Sequence, residues 1–329
     1  MEAAAPANAV LLASESAGPV EPAPAAPGIS VLVVTFWTGP FLYKCVTSVL
    51  AQTDIAELII IDNGNPAEAR AALLRLTDMD ERVQIVVNKT NIGFGRAINQ
   101  AARLATGARL LILNPDAEIQ SDTIAELTRA ATPLSGAWLI GGRVLHPDGQ
   151  EQRGSRREEL TLWSAAVTFS GLGKLEPLLP FLRSVHRERD PLPDAPRPQA
   201  VVSGAFMFTP RTTFWALGGF DEGYFLHVED IDLCRRLRAA GGVVIHAPKA
   251  KIVHKGSTSQ VSIFFVEWHK AKGLIRYFRK FARNPLEAAL AWIAGPAIAG
   301  MLVARAVLIG AIAGRYGKNR AASAIPPGQ

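Results

Sequence analysis

Four apolar segments within the first 116 residues constrain the fold of this chain more than any other feature. They read ISVLVVTF, ELIIIDNG, VQIVVN and ARLLILNPD, and they begin at Ile29, Glu57, Val83 and Ala108. Apolar, β-branched runs without alternation are typical of strands buried on both faces of a parallel sheet. Helical patterns separate them, over residues 41–51, 67–76 and the second part of 91–105. Alternating strands and helices predict βαβ units and a doubly wound α/β sheet.

Polar residues stand where the predicted strands end. They are Thr35, Asp62, Asn63, Asn114 and Asp116. Ligands of open α/β sheets bind at the carboxyl ends of the strands, so these residues are the first candidates for a binding site. A dinucleotide-binding domain would carry G-x-G-x-x-G after the first strand, but that position reads TFWTGP. Within residues 29–118 the only G-x-G, Gly93-Phe94-Gly95, follows the third strand and lacks the third glycine, which excludes that class.

A second acidic site lies far downstream, in the stretch LGGFDEGYFLHVEDIDLCRRLRAAGG at residues 217–242. Glu229, Asp230 and Asp232 immediately precede a helical pattern that ends at Gly241. Carboxylates at a helix N-terminus can simply cap free N–H groups, and we assign that role to Asp232. The aromatic and glycine-rich sequence before the acids indicates a pocket wall, which favours a functional site for the other two.

Three motifs in these stretches resemble family 2 glycosyltransferases, and particularly their rhamnosyltransferase-like branch. GGFDEGYFLHVEDIDLCRR looks like the acceptor-side motif of that family, NIGFGRAINQA like its N-x-G-F-G-x-A-x-N pattern, and LNPDAE like its version of the D-x-D metal motif. The resemblance spans roughly residues 29–281. It implies a GT-A fold, that is, a doubly wound mixed sheet with a nucleotide-sugar-binding half (29–118) and an acceptor-binding half (119–265).

The resemblance implies roles for the residues of the first half. Asp62 would accept an N–H from the pyrimidine ring of a donor, although an aspartate in DNG is also a common turn former. Asn91 and Gly93 would let the backbone approach the nucleotide, with Asn99 facing it from the following helix. Asp116 would bind a divalent cation, Mg²⁺ or Mn²⁺, that is shared with the diphosphate. Asn114 would replace the first aspartate of the motif by a neutral oxygen ligand.

The second half would hold the acceptor and the base. VSGAFMFTPR is predicted to form one buried strand, and its Ser203 and Gly204 match the acceptor-side G-A motif. Asp230 would be the general base, which implies a single displacement with inversion, and Glu229 would orient the acceptor. His254, in VHKGSTS, would complete the metal site, whereas His246 is expected to be structural. The family usually has two glycines where this chain has Gly256-Ser257.

The remaining core and the N-terminal segment are less patterned. Residues 143–199 are rich in Arg and Pro and are expected to form an acceptor-side insert with short helices. Residues 1–28 are rich in Ala and Pro and contain no Lys or Arg, which predicts a disordered tail rather than a secretory signal. Cys45 and Cys234 have no metal-ligand spacing and are expected to be buried thiols in a reducing compartment.

The C-terminal region, residues 266–329, differs in charge and hydropathy from the rest. Residues 267–320 contain ten Lys or Arg and two Glu, a net charge of +8, whereas the whole chain carries +6. The basic balance therefore belongs to this region, and nucleic acid is excluded as a partner. A basic amphipathic helix is followed by an apolar run that Pro296 and Arg305 interrupt. We expect a broken hairpin or an in-plane helix pair on the cytoplasmic face of the membrane, or else a helix buried against the catalytic domain.

These patterns predict an inverting, metal-dependent glycosyltransferase. The best specific hypothesis, which rests on the resemblance, is transfer of L-rhamnose from dTDP-rhamnose to a lipid-linked or polysaccharide glycan. One alternative is transfer of another hexose from a UDP- or GDP-sugar. An alternative of a different class is a catalytically inactive scaffold that binds nucleotide sugars, but such a protein needs no base.

Overall fold

The computed structural model describes residues 9–11, 26–256 and 261–323. Its first half alternates strands and helices in the predicted order: β1 (Ala9–Leu11), β2 (Ala26–Thr35), α1 (Phe41–Leu50), β3 (Ile55–Asp62), α2 (Ala67–Leu74), β4 (Val83–Val87), α3 (Phe94–Leu104) and β5 (Gly107–Leu113). The predicted disordered tail needs correction within the described residues. Residues 9–11 form a strand beside β4, and β2 begins three residues before Ile29. The rest of that tail lies outside the described residues.

The second half of the catalytic domain and the C-terminal region add further helices and strands. They contain β6 (Ala117–Ile119), α4 (Thr123–Ala131), β7 (Trp138–Leu145), β8 (Arg156–Arg157), α5 (Leu162–Ser170), β9 (Arg197–Pro198), β10 (Val201–Val202), β11 (Phe206–Pro210), α6 (Arg211–Ala216), α7 (Glu229–Ala239), β12 (Val243–His254), α8 (Ile263–Lys280) and α9 (Pro285–Ser323). The predicted boundaries at 118/119 and 265/266 fall inside β6 and α8.

All described strands except β8 and β10 form one mixed sheet in the order β1-β4-β3-β2-β5-β11-β7-β12-β6, with β9 paired to β12. Strands β1 to β5 are parallel to one another, whereas β11 is antiparallel to both β5 and β7. The predicted doubly wound mixed sheet is confirmed. The chain reverses its winding next to β2 and β5, so their carboxyl ends border the crevice in which such sheets bind ligands.

Helices cover both faces of this sheet, which explains why its strands are apolar without alternation. Val31 and Val33 of β2 pack on the face that α1 and α4 cover, whereas Leu32 and Val34 pack on the face of α3 and α7. Each strand residue therefore meets a helix whichever way its side chain points. Cys45 and Cys234 are free and fully buried in these two layers, as predicted.

The segment 202–211 is not the single strand that we predicted. Its start, β10, pairs with β8 in a separate two-stranded sheet, and a turn at residues 203–205 leads into β11. Phe206 then pairs with Leu113 at the end of β5. The reason is the Ser-Gly dipeptide, which breaks the apolar run and lets the chain move from one sheet to the other.

The C-terminal helices α8 and α9 pack against each other and against α5. Ala291, Ile298 and Leu302 of α9 are buried in a cluster with Leu274 and Tyr277 of α8. Helix α9 runs through Pro296 without interruption, so the predicted break at that proline is wrong, and the chain instead reverses at residues 281–284. Within the described residues, Pro285–Ala304 is the one helix long and apolar enough to cross a membrane, with mean hydropathy 1.7 and 24% of it buried.

Candidate active site

The register of the sheet brings the predicted donor residues to one edge. Thr35 is paired with Asp62 across β2 and β3, and Asn114 follows directly after Leu113, the last residue of β5. Thr35 and Asp62 are buried, and the Thr35 hydroxyl lies 3.0 Å from that of Thr38. The strand ends thus place these side chains together, as expected for a crevice at the carboxyl edge of the sheet.

Asp62 is held by its own turn. Its Oδ1 accepts hydrogen bonds from the backbone N–H of Gly64 (3.1 Å) and Asn65 (2.7 Å), and its Oδ2 accepts one from Arg70 Nε at 2.9 Å. These contacts are those of the turn-forming aspartate that DNG also predicts. The proposed contact of Asp62 with a pyrimidine ring stays a prediction.

An asparagine network shapes the loop after β4. Asn63 donates to Asn91 Oδ1 (2.9 Å) and accepts from Asn88 Nδ2 (3.2 Å) and from the backbone N–H of Ile92 (3.1 Å). Asn91 also accepts from the backbone N–H of Gly93 at 2.9 Å. Asn63 and Asn91 therefore fix the loop that leads into α3, and they contribute to the crevice through the shape of that loop.

Gly93 and Asn99 connect this loop to the acidic stretch of the second half. Gly93 has φ +92°, and a Cβ there would lie 2.8 Å from the carbonyl oxygen of Phe225, so no other residue fits without movement. Asn99 is buried, and its amide bonds to the backbone N–H and carbonyl of Phe220 (2.9 Å each). The Asn99 amide thus holds the acceptor-side loop, and a contact of Asn99 with the donor stays a prediction.

The predicted metal residues come together at the end of β12. His254 Nε2 lies 3.0 Å from Asp116 Oδ1 and 3.1 Å from Asn114 Nδ2, although 138 or more residues separate them in the sequence. Asn114 presents its amide nitrogen to the imidazole, and its role as an oxygen ligand stays a prediction. Within the described residues, no group of three or more His, Cys, Asp and Glu side chains is placed to hold a metal ion.

Gln152 fixes the tautomer of His254. Its amide nitrogen donates to the carbonyl oxygens of Leu145 and His254, which turns its oxygen toward His254 Nδ1 at 2.9 Å. Because that oxygen only accepts, Nδ1 carries the proton and Nε2 of the neutral ring has none to offer Asp116. Two electron-rich atoms then lie 3.0 Å apart, an arrangement that a bound cation would stabilise. The pair therefore fits a divalent cation whose other ligands come from substrate or water.

A short path of hydrogen bonds joins the metal residues to the acidic pair. The backbone N–H of Asn114 donates to the carbonyl oxygen of Ala205 (3.1 Å), and the N–H of Gly204 donates to Asp230 Oδ2 (3.0 Å). Ser203 Oγ accepts from the N–H of Ala205 at 3.3 Å and stabilises the turn. A Cβ on Gly204 would lie 3.0 Å from that of Asp230, so the glycine allows the close approach.

Asp230 is the anchored member of the acidic pair. Its Oδ2 is ion-paired with Arg157, and its Oδ1 accepts from the N–H of Ile231 at 2.8 Å. Burial raises the pKa of this carboxyl, but the charge and hydrogen bond of Arg157 and the two backbone N–H groups outweigh it. The pKa is therefore held below its usual range. Asp230 is the carboxylate that stays ionised.

Glu229 has the opposite environment. It is 5% exposed, and its Oε2 has no hydrogen-bond partner among the described residues. Burial, followed by the adjacent charge of Asp230, raises the pKa of Glu229 to about 8. Two neighbouring carboxyl groups are thus driven to different protonation states, which is the usual sign of an acid–base site.

Two unusual backbone conformations precede this pair. His227 and Val228 have φ values of +67° and +76°, and a β-branched residue seldom adopts the left-handed region. Val228 provides no side-chain cap for α7, and neither does Asp232. Asp232 is instead fully buried between the Tyr224 hydroxyl (3.0 Å), Arg236 and Lys280 (2.7 Å), so its predicted capping role is wrong. Strained backbone of this kind is concentrated at functional sites.

Residues 30–200 match the model of Glycosyl transferase family 2, which is just over half of the 329 residues. The chain belongs to glycosyl transferase family 2. It is therefore an enzyme that transfers sugar to glycan acceptors, and the alternative of an inactive scaffold is set aside.

Relatives agree with this assignment. N-acetylglucosaminyl-diphospho-decaprenol L-rhamnosyltransferase from Mycobacterium tuberculosis is 28% identical over 239 residues, covering 69% of this chain and 75% of the relative. The predicted resemblance to rhamnosyltransferase-like members is thereby confirmed. The family match ends at residue 200, before the acidic pair and His254, so the roles of those residues stay predictions.

Solved structures confirm the GT-A fold of this glycosyltransferase. A mannosyltransferase from Pyrobaculum calidifontis, in complex with GDP-Man and Mn²⁺, superimposes with a TM-score of 0.52 at 17% identity, covering 94% of this chain and 85% of that one. GalNAc-T7 with UDP, GalNAc and Mn²⁺ gives a TM-score of 0.53 at 15% identity, and it covers 81% of this chain and 54% of the other.

Sequence reasoning missed two residues of the glycosyltransferase site. Arg157, on β8, and Gln152, in the loop before it, both lie in the Arg- and Pro-rich insert at residues 143–199. A lone arginine in an arginine-rich segment carries no local signal for the carboxylate it pairs with. Only the three-dimensional contact identifies it.

Proposed function

We propose that this glycosyltransferase transfers L-rhamnose from dTDP-rhamnose, with inversion, to a glycan acceptor that is lipid-linked or part of a polysaccharide. One observation carries the proposal. A buried, ionised carboxylate, Asp230, is joined through the turn at residues 203–205 to the pair of Asp116 and His254 at the crevice of the sheet. A base and a diphosphate site that share one rigid link have the arrangement that a single displacement needs.

The base in this scheme is Asp230 rather than Glu229. A general base must be ionised before it accepts a proton, and the pKa of Asp230 is below its usual range whereas that of Glu229 is raised to about 8. Near pH 7, Glu229 is therefore mainly neutral and can donate a hydrogen bond to an acceptor hydroxyl. Asp230 then takes the proton of the attacking hydroxyl. Glu229 is mainly neutral and Asp116 is assigned to the cation, so among the described site residues no other carboxylate is left to form a covalent intermediate, and we expect the product to have inverted configuration.

The diphosphate is expected to lie near Asp116 and His254. A divalent cation held by these two residues would neutralise the charge that develops on the leaving nucleoside diphosphate. Both structural neighbours named above contain Mn²⁺, which supports this role without deciding between Mn²⁺ and Mg²⁺. Gln152 keeps His254 in the tautomer whose Nε2 can bind a metal, a common function of the group behind a histidine ligand.

The acceptor is proposed to be carried on lipid at the cytoplasmic face of the membrane. The relative from Mycobacterium tuberculosis is named for a diphospho-decaprenol acceptor. Helix α9 of this chain is apolar and, over much of its length, not covered by the rest of the molecule. An enzyme beside the membrane would meet such an acceptor without extracting it from the bilayer.

Turnover against a panel of nucleotide sugars tests the donor. We expect release of nucleoside diphosphate from dTDP-rhamnose to exceed release from UDP-glucose, UDP-galactose and GDP-mannose at equal concentration. NMR of the purified product should show an anomeric configuration opposite to that of the donor. A preference for another sugar nucleotide would refute the rhamnose assignment, and retention of configuration would refute the single displacement.

A further inference from the structure

The insert between β8 and β9 exposes an unusual number of large apolar side chains. We call residues 162–182 the insert face, and its exposed members are Trp163, Leu172, Leu175, Leu178, Leu179 and Phe181. Leu178 is 79% and Phe181 is 63% exposed. Single exposed apolar residues are normal, but six of them within 21 residues indicate a surface that binds a partner or a membrane.

Two of these side chains, Trp163 and Phe181, are held in place by specific contacts. The rings of Trp163 and Phe181 are stacked with centroids 6.4 Å apart, and Trp163 Nε1 donates to the carbonyl oxygen of Phe181 at 3.0 Å. Helix α5 begins with a capping box between Thr161 and Ser164. The patch is therefore presented on a fixed framework of helix α5 and two short 3₁₀ turns.

The insert face continues into the C-terminal helices. Ala165 and Phe169 of α5 pack in the same apolar cluster as Ala291 and Leu302 of α9. Lys270 of α8 lies over the ring of Phe169 at 5.8 Å. The uncovered sides of these helices are also apolar, with exposed residues Phe264, Trp268, Leu286, Leu290, Trp292 and Ile293.

The helices add positive charge to this apolar surface. Residues 263–304 contain six Lys or Arg and two Glu, a net charge of +4. Two of the cations lie on exposed aromatic rings: Arg279 is 3.5 Å from the ring centre of Trp292, and Lys272 is 5.2 Å from that of Trp268. Cations next to exposed tryptophans and apolar side chains are typical of proteins that lie in the headgroup layer of anionic membranes.

We propose that the insert face and the uncovered sides of α8 and α9 form one surface that docks on anionic lipid. The insert thereby becomes a second membrane-contacting element, separate in sequence from the C-terminal helices. The proposal rests on the proposed function in one respect: the lipid-linked acceptor is the reason why the enzyme meets a membrane. The net positive charge selects a lipid surface over a second copy of this chain, whose own surface would carry the same charge.

A dye attached to the insert tests this contact directly. Cys45 and Cys234 are both fully buried, so an environment-sensitive fluorophore should react selectively with Leu178→Cys. We expect vesicles with about one third phosphatidylglycerol to shift its emission to the blue and to raise its intensity severalfold. Vesicles of pure phosphatidylcholine should give a much smaller change. The matched control is Met79→Cys, which is 47% exposed beside β4, at the far end of the sheet order from β12.

Three results would overturn the proposal. One is an unchanged Leu178→Cys signal while the protein co-sediments with anionic vesicles, because the membrane contact then excludes the insert. The second is an equal response of the Met79→Cys control. The third is a response that depends on protein concentration without vesicles, which would identify a second copy as the occupant. Release of nucleoside diphosphate, measured without lipid, tests the proposed function separately from all three.

Discussion

The two halves of the catalytic domain hold their polar residues in different ways. In the first half the partners are close in sequence: Asp62 is held by Asn65 and Arg70, three and eight residues away. In the second half they are distant, since Arg157 and Asp230 are 73 residues apart. The first half is thus a set of locally determined loops on a parallel sheet. The second half is an assembly that is complete only when the whole domain has folded.

This difference has a functional consequence. Local turns can set the shape of a nucleotide crevice before the acceptor side is in place. The acidic pair instead depends on the insert for Arg157, on the 203–205 turn for a backbone N–H, and on α8 for the packing of the preceding loop. Changes in the second half should therefore alter chemistry more than those in the first, and the following variants test that expectation.

The largest effect is expected for Asp230→Asn. The amide keeps the size of the side chain but removes its basicity, so turnover should fall by at least ~100-fold, the range for loss of a general base. Binding of donor, measured by calorimetry, should be nearly unchanged. The control is Asp148→Asn, which changes an exposed turn aspartate outside the site and should retain activity. Turnover of the Asp230 variant close to the wild-type rate would remove the assignment of the base.

Gly93→Ala tests the contact between the two halves. Alanine there must adopt φ +92° and also meets the carbonyl oxygen of Phe225, so we expect a loss of about 2–3 kcal/mol in the free energy of unfolding. Gly149→Ala is the matched control, because Gly149 has φ +85° but no atom within 4 Å of the added Cβ. Denaturant unfolding should show the Gly93 variant to be less stable than the control. Equal losses would mean that the contact with Phe225 relaxes freely.

How far the sequence predicts each half follows from the range of these contacts. The strands β2 to β5 and the turn at Asp62 were predicted because an apolar run and a DNG turn are local patterns. The fold and the pairing of Asp116 with His254 were also predicted, the latter through the family resemblance. Arg157, Gln152 and the burial of Asp232 were not, since each depends on residues brought together across the sheet. The contact of Asn99 with Phe220 was not predicted either, because the two residues are far apart in the sequence.

A smaller effect, on metal dependence, is expected for His254→Ala. Loss of the imidazole leaves Asp116 as the remaining member of the pair, so the metal concentration for half-maximal turnover should rise at least about tenfold. Gln152→Leu no longer fixes the tautomer of His254. It should raise the metal concentration for half-maximal turnover by a smaller factor. His246→Asn is the control, because His246 is buried away from this pair in β12. Wild-type enzyme that stays fully active in excess chelator would refute the metal site altogether.

The smallest change at neutral pH, and the most specific, is expected for Arg157→Leu. The pKa of Asp230 is low because the Arg157 charge and the hydrogen bonds outweigh burial. Without that charge burial dominates, so the pKa rises and the carboxylate becomes protonated at a higher pH than in the wild type. The acidic limb of the pH–rate profile should therefore move to higher pH. On the plateau above that limb, where Asp230 is ionised in both proteins, turnover should be similar or higher, because the base is stronger.

Arg157→Lys separates this electrostatic role from a structural one. A lysine keeps the charge but not the planar guanidinium that reaches both Asp230 and the carbonyl oxygen of Val202. The acidic limb of the Lys variant should lie near that of the wild type, even if its stability is lower. If both variants lose activity equally at every pH, Arg157 serves only to hold β8 and β10 together. If the acidic limb of the pH–rate profile moves in Arg157→Leu but not in Arg157→Lys, a residue of the insert sets the ionisation of the proposed base.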